Sequence, residues 1–160
     1  MVRAVRLLPV LVCVLITAAA GSKFAAAPSL ERLKKMSVAV SVDRTGGLDQ
    51  SGVRAAVETQ LRSSGIQIDA KSRYCFNVTV GVFEIPGDAG TQPHYAYSVH
   101  VAFNQQVYLA RNPNIITEAV TWQTMSMRVA SADRLQATCA ADIARRVDEF
   151  LNVYKSVNEQ

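Results

Sequence analysis

The sequence predicts an α+β domain, a two-layer α/β sandwich with two helices on one face of a mixed sheet, in the order β-α-β-β-β-β-α. Three observations lead there. Apolar and polar residues alternate with a period of two over 36–42, 74–82 and 95–109, the period of half-buried strands. Two stretches, 50–64 and 131–158, carry apolar residues at helical spacing instead. A strand, a helix and a strand follow one another near the start, as in a right-handed βαβ unit with parallel strands. A sheet with one apolar face and two amphipathic helices is stable when the helices cover that face.

Composition bounds the rest. The chain has 160 residues, 19% charged and 49% of the hydrophobic group, with three Cys, eight Gly and five Pro. That excludes a disordered chain, a coiled coil and a disulfide-dense scaffold. The net charge is +4.

Residues 1–20 have the layout of a secretory signal peptide: Arg3 and Arg6, then the uncharged run Leu7 to Thr17, then Ala18-Ala19-Ala20 before Gly21. The run is too short for a spanning helix, which needs about 20 apolar residues, so no transmembrane anchor is expected after cleavage. Cys13 lies inside the run behind Val12, which makes it a poor lipid-attachment site. Removing Arg3 and Arg6 from 17 basic residues leaves 15 against 13 acidic ones, a balance of +2. A near-neutral domain has no electrostatic reason to bind nucleic acid. Residues 21–34 are rich in Ala, Ser and Lys and broken by Pro28, and read as a flexible leader. The folded domain is expected over 35–158, and the chain is expected to act in the periplasm or outside the cell.

Within that domain, Met36, Val38, Val40 and Val42 alternate with small polar residues as the first strand. Asp43-Arg44-Thr45-Gly46-Gly47 is turn chemistry. Asp49 or Ser51 can cap a helix with Val53, Ala56, Val57 and Leu61 inside and Arg54, Glu58 and Arg62 at i, i+4 spacing in water. Gly65 suits the position after that helix. Ile66 and Ile68 begin a second strand, and Tyr74 to Val82 a third. Residues 86–93 are a loop by composition. Tyr95, Tyr97, Val99, Val101, Phe103, Val107 and Leu109 share one face of the next strand. After a turn at Arg111–Asn114, residues 119–130 form the last strand. Its parity is ambiguous: Trp122 favours even positions inside, whereas Met125, Met127 and Val129 favour odd ones, and a bulge between them would reconcile both. In the last helix, Leu135, Cys139, Ile143, Val147, Phe150, Leu151 and Tyr154 form the inner stripe. Asp142 with Arg146, and Arg145 with Glu149, are expected to pair on its wet side.

Signs of catalysis are few. The chain lacks a glycine-rich phosphate loop, a zinc-protease helix motif and a nucleophile elbow. No cofactor is expected. His94 and His100 are about 20 Å apart along one strand at 3.4 Å per residue, too far to share a metal. Asn77-Val78-Thr79 matches a glycosylation sequon but lies mid-strand. Asp43 reads as a turn residue. Cys75 and Cys139 have two open readings: an oxidising compartment favours a disulfide, while strand parity points Cys75 away from the core and Cys139 into it.

One surface is distinctive. Asn77, Thr79, Ser98, His100, Asn104 and Gln106 place uncharged hydrogen-bonding groups on the wet face of the sheet. Such a face suits a partner protein, a glycan or a second copy of the chain. The expectation is a non-enzymatic binding or assembly module of the bacterial cell envelope. The competing expectation is a small hydrolase or ligand-binding protein with a cleft near Asp43 and the Gly46-Gly47 turn.

The segments Tyr95–Val99 and Gln105–Asn112, the pair Thr121-Trp122 and the ending Phe150–Asn158 resemble a group of small exported bacterial proteins. These consist of a signal peptide followed by an α+β domain, and the resemblance spans roughly 36–158. It implies export and this fold. It offers no catalytic residue to carry over.

Overall fold

The computed structural model describes residues 27–87 and 92–158. The proposed signal peptide, its cleavage point and residues 21–26 lie outside them, as does part of the loop before residue 92.

Five strands form one mixed sheet: β1 (Lys35–Val42), β2 (Gln67–Ile68), β3 (Cys75–Ile85), β4 (His94–Leu109) and β5 (Asn112–Ser131). Their spatial order is β2-β1-β3-β4-β5. Strand β1 runs parallel to β2 and to β3, while β3, β4 and β5 are antiparallel. The helices α1 (Gln50–Ser63) and α2 (Leu135–Asn158) follow β1 and β5. The predicted fold class and element order are those observed.

Local signals act where the sequence places them. Asp49 caps α1, its carboxylate accepting from the backbone N–H of Ser51 at 2.9 Å and of Gly52 at 3.0 Å. Gly65 follows the helix with φ 82°, a left-handed conformation that costs glycine least. Arg62 pairs with Glu58 at 2.8 Å, but Arg54 turns inward and donates to the Val38 carbonyl at 2.9 Å.

The core lies between the sheet and the two helices. Val38, Val40, Phe76, Val78, Val80, Val82, Tyr97, Val99, Val101 and Phe103 meet Val57 and Leu61 of α1 and the α2 stripe. Phe150 is its aromatic centre, with ring centroids 4.8 Å from Phe76, 5.7 Å from Phe103 and 5.2 Å from Trp122. Such pairs contribute about 0.5–1.5 kcal/mol each beyond the area they bury.

The expected leader needs correction over its last residues. Ala27–Leu30 form a 3-10 turn, and Leu30 and Leu33 are buried in the core. The Asn158 side chain holds this segment: its Oδ1 accepts from the Arg32 N–H at 2.7 Å and its Nδ2 donates to the Leu30 carbonyl at 2.9 Å. The packed core therefore includes Leu30 and Leu33 of the segment expected as leader. Two leucines seated against the end of α2 outweigh a composition that reads as mobile.

Strand β5 resolves the parity conflict. Phe103 pairs with Trp122, and Asn104 pairs with Val120, so Thr121 is the extra residue of a bulge. The bulge precedes Trp122 instead of following it. From Trp122 to Ala130 the strand alternates without a break: even positions face α2, and Met125, Met127 and Val129 face away.

Candidate functional site

Among the described residues, no helix or strand covers the face of the sheet turned away from the helices. Strand pairing sets out its rows. Ser37, Cys75, Asn104 and Val120 form one, Ala39, Asn77, Ala102 and Gln123 the next, and Ser41, Thr79, His100 and Met125 a third. Then come Gly81, Ser98 and Met127, and finally Phe83, Ala96 and Val129. Asn77, Thr79, Ser98, His100 and Asn104 are thus brought together on one surface, with Thr79 directly opposite His100. Gln106 stands apart, opposite Glu118 on the hairpin beyond the end of β3.

The polar groups of this face are partly engaged with one another. His100 Nε2 lies 3.2 Å from Gln123 Oε1, and the Cys75 thiol is 3.5 Å from Asn77 Oδ1. Asn104 Oδ1 is buried with no hydrogen-bond partner among the described residues. These contacts fix side chains on the surface and do not assemble an acid, a base and a nucleophile.

Sequence reasoning missed the apolar half of the surface. Phe83, Met125, Met127 and Val129 are 69%, 63%, 74% and 60% exposed. Between them the floor is made of small residues, Gly81, Ala96 and Ser98. A Cβ on Gly81 would stand 3.1 Å from Ser98 Oγ and 3.9 Å from the Phe83 ring, so only glycine leaves this floor low beneath Phe83. The signal was present in the sequence: with Trp122 inside, strict alternation sends Met125, Met127 and Val129 out. In none of the five rows does a position carry Asp, Glu, Lys or Arg.

At Asp43 and the Gly46-Gly47 turn the chain closes on itself. The Asp43 carboxylate accepts from the Thr45 N–H at 2.9 Å and from its hydroxyl at 2.7 Å. Those bonds lower its pKa and close the turn. Gly46 is pressed on the core, where an added Cβ would lie 3.0 Å from Leu135 and 3.1 Å from Val82. An apolar groove of about 130 Å³ runs between the helices, lined by Val53, Ala56, Gln60, Ala140 and Ile143 among others. It holds no ionisable side chain.

Cys75 and Cys139 are free thiols on opposite sides of the sheet, as strand parity requires. Burial pushes the Cys139 thiol up to about 11, and the nearby Asp142 carboxylate adds to the effect, so it stays protonated and unreactive at neutral pH. Among the described residues no group of three His, Cys, Asp or Glu could hold a metal ion. Among them, too, no helix is long and apolar enough to cross a membrane.

Of the two ion pairs expected on the wet side of α2, Asp142 with Arg146 forms but is buried, and Arg145 with Glu149 is replaced. Asp142 is 3% exposed and faces β5, where it accepts from the Ser126 hydroxyl and from Arg145. Arg128 Nε stands 3.5 Å from it and Arg146 3.8 Å. Glu149 pairs with Arg146 at 2.8 Å instead of with Arg145. The reason is lateral: β5 runs beside α2, so Thr124, Ser126 and Arg128 project onto this helix edge.

No family model matches the chain, and no curated protein matches it. Among solved structures, a PelC dodecamer from Paraburkholderia phytofirmans is similar at 17% identity with a TM-score of 0.43, covering 72% of this chain and 85% of that one. Rare lipoprotein B from Shewanella oneidensis is similar at 12% identity with a TM-score of 0.39, covering 75% and 94%. A minor lipoprotein from Acinetobacter baumannii is similar at 12% identity with a TM-score of 0.36, covering 78% and 91%. Likeness at this level assigns the chain neither a family nor an activity.

Proposed function

We propose that this chain is an exported, non-catalytic binding or assembly module of the cell envelope, and that it docks a protein partner on the open face of its sheet. One observation carries the docking reading: the face is free of charge across five rows and apolar along its Phe83–Val129 edge. Ordinary solvated sheet faces carry Lys and Glu. Depletion of charge with enrichment in aromatic and Met side chains is the composition of an interface core. Exposed contiguous apolar patches on soluble domains mark interaction sites, and Met adapts to the shape of a partner. Next to the patch, β5 is an edge strand with no further strand beside it among the described residues, an edge to which a partner strand can add.

Site-specific cross-linking tests the docking face. A photo-reactive residue at Phe83 should give one dominant cross-linked product in envelope extracts, and the same residue at the exposed Thr59 of α1 should give none. Met127→Glu should abolish the product while changing stability by less than about 0.5 kcal/mol, as surface substitutions do. Equal yields from Phe83 and Thr59, or a product insensitive to Met127→Glu, would remove the proposal.

Export rests on residues 1–20 and is tested separately. The intact mass of the chain from its native host should lack Met1 to Ala20 and correspond to a start near Gly21. Recovery of the full-length chain from the cytosol would overturn export and leave the docking face untouched.

A further inference from the structure

We propose that the cleft between β5 and α2 is a binding site for a small carboxylate, held by the guanidinium groups of Arg128 and Arg145. The cleft has a volume of about 300 Å³ and is lined by Arg128, Thr138, Ala141, Asp142 and Arg145. It lies on the helix side of β5, opposite the docking face, and does not depend on that reading.

The two guanidinium groups are anchored from beneath. Both reach the buried Asp142 carboxylate, Arg145 by a direct hydrogen bond and Arg128 through Nε at 3.5 Å. Their side chains remain 44% and 47% exposed. An arginine held at one edge keeps its other N–H groups oriented, so less entropy is lost when they bind. Among the described residues those outer N–H groups have no protein acceptor.

Charge selects the ligand class. Arg128, Arg145 and Arg146 bring three positive charges, while Asp142 and Glu149 bring two negative ones. The balance of +1 matches a monoanion. A phosphate dianion would leave the site negative next to the Asp142 carboxylate. Guanidinium and carboxylate also match geometrically as a bidentate pair.

A second observation concerns the strand beside Arg128. Tyr97 is the cross-strand partner of Arg128, and its hydroxyl is buried with no hydrogen-bond partner among the described residues. A buried hydroxyl left unpaired costs about 1–3 kcal/mol. Pairing with Arg128 sets Tyr97 next to this cluster, and burial together with the charge of Asp142 raises its pKa against the pull of Arg128 and Arg145. Tyr97 does not itself line the cleft, so the polar groups a ligand can reach there are the outer N–H groups of the two arginines.

Titration of the 15N-labelled full chain with acetate, at constant ionic strength set by chloride, tests the site. The Nε–H signals of Arg128 and Arg145 should shift and saturate at millimolar acetate. Arg145→Gln should weaken binding at least about tenfold, the loss of one charge-assisted pair. Thr138→Glu places a competing carboxylate at the rim and should suppress binding in a folded chain, which guards against a folding defect in the first variant. Shifts that grow linearly without saturation, or that chloride alone reproduces, would overturn the site. Tighter binding of inorganic phosphate than of acetate would overturn the carboxylate assignment.

Discussion

Val101→Asp is expected to abolish folding. Val101 is fully buried at the centre of β4, in register with Val78 of β3 and Thr124 of β5, under the helix layer. An unpaired carboxylate at that depth either ionises at a cost of several kcal/mol or takes up a proton and still lacks a partner. A domain of this size has about 5–15 kcal/mol of stability in total, and the lost valine packing adds to the cost. Thr79→Asp is the matched control. Thr79 is one row away on the open face and exposed, so its variant should keep a cooperative melt within about 0.5 kcal/mol of the parent. Asn104 is a poorer control, because its Oδ1 is already buried without a partner. Near-ultraviolet circular dichroism and thermal melts of both variants decide the matter. Equal, severe loss in both would mean that the sheet is covered on both faces, and the docking face would then be untenable.

Asp142→Asn should cost about 3 kcal/mol at neutral pH. Removing one member of a buried ion pair typically costs about 3–5 kcal/mol, and the half-exposed Arg128 and Arg145 can regain water, which favours the lower end. At about 2–4 °C per kcal/mol the melting temperature should fall by about 6–12 °C. The pH dependence follows from the same contacts. Burial by itself raises the Asp142 pKa, but the Ser126 and Arg145 hydrogen bonds and the charges of Arg145 and Arg128 outweigh it and hold the pKa below the usual value. A carboxylate depressed in the folded state adds stability above its unfolded pKa of about 3.9 and loses it as pH falls through the folded value. Parent and variant melting temperatures should therefore begin to converge below about pH 4 and meet only below the folded pKa. A variant as stable as the parent at pH 7 would show that Asp142 does not hold α2 to β5.

The local code of this chain is legible residue by residue. Alternation in 95–103 named the buried face of β4, since a period of two leaves each side chain only two directions. Asp49 and Gly65 marked both ends of α1 through the backbone groups they satisfy or the φ they permit. The polar members of the open face followed from the same alternation. Even the apolar members were implied by Trp122, although one odd–even conflict in β5 hid them.

What lies across from a residue is another matter. Helical spacing alone paired Asp142 with Arg146 in water, because an isolated helix offers only its own neighbours at i+3 and i+4. Laying β5 beside α2 brought Ser126 and Arg128 to that edge, buried the carboxylate and turned a surface pair into a cleft with surplus positive charge. The same holds for Leu30 and Leu33, whose burial depends on where α2 ends and on Asn158 reaching back across 128 residues of chain to the Leu30 carbonyl. Sequence by itself determined the period, the caps and the side of the sheet each residue takes, because those depend on backbone geometry a few residues long. Tertiary structure alone decided which charges share a carboxylate and where the bulge at Thr121 falls, because those depend on contacts between segments far apart in the chain.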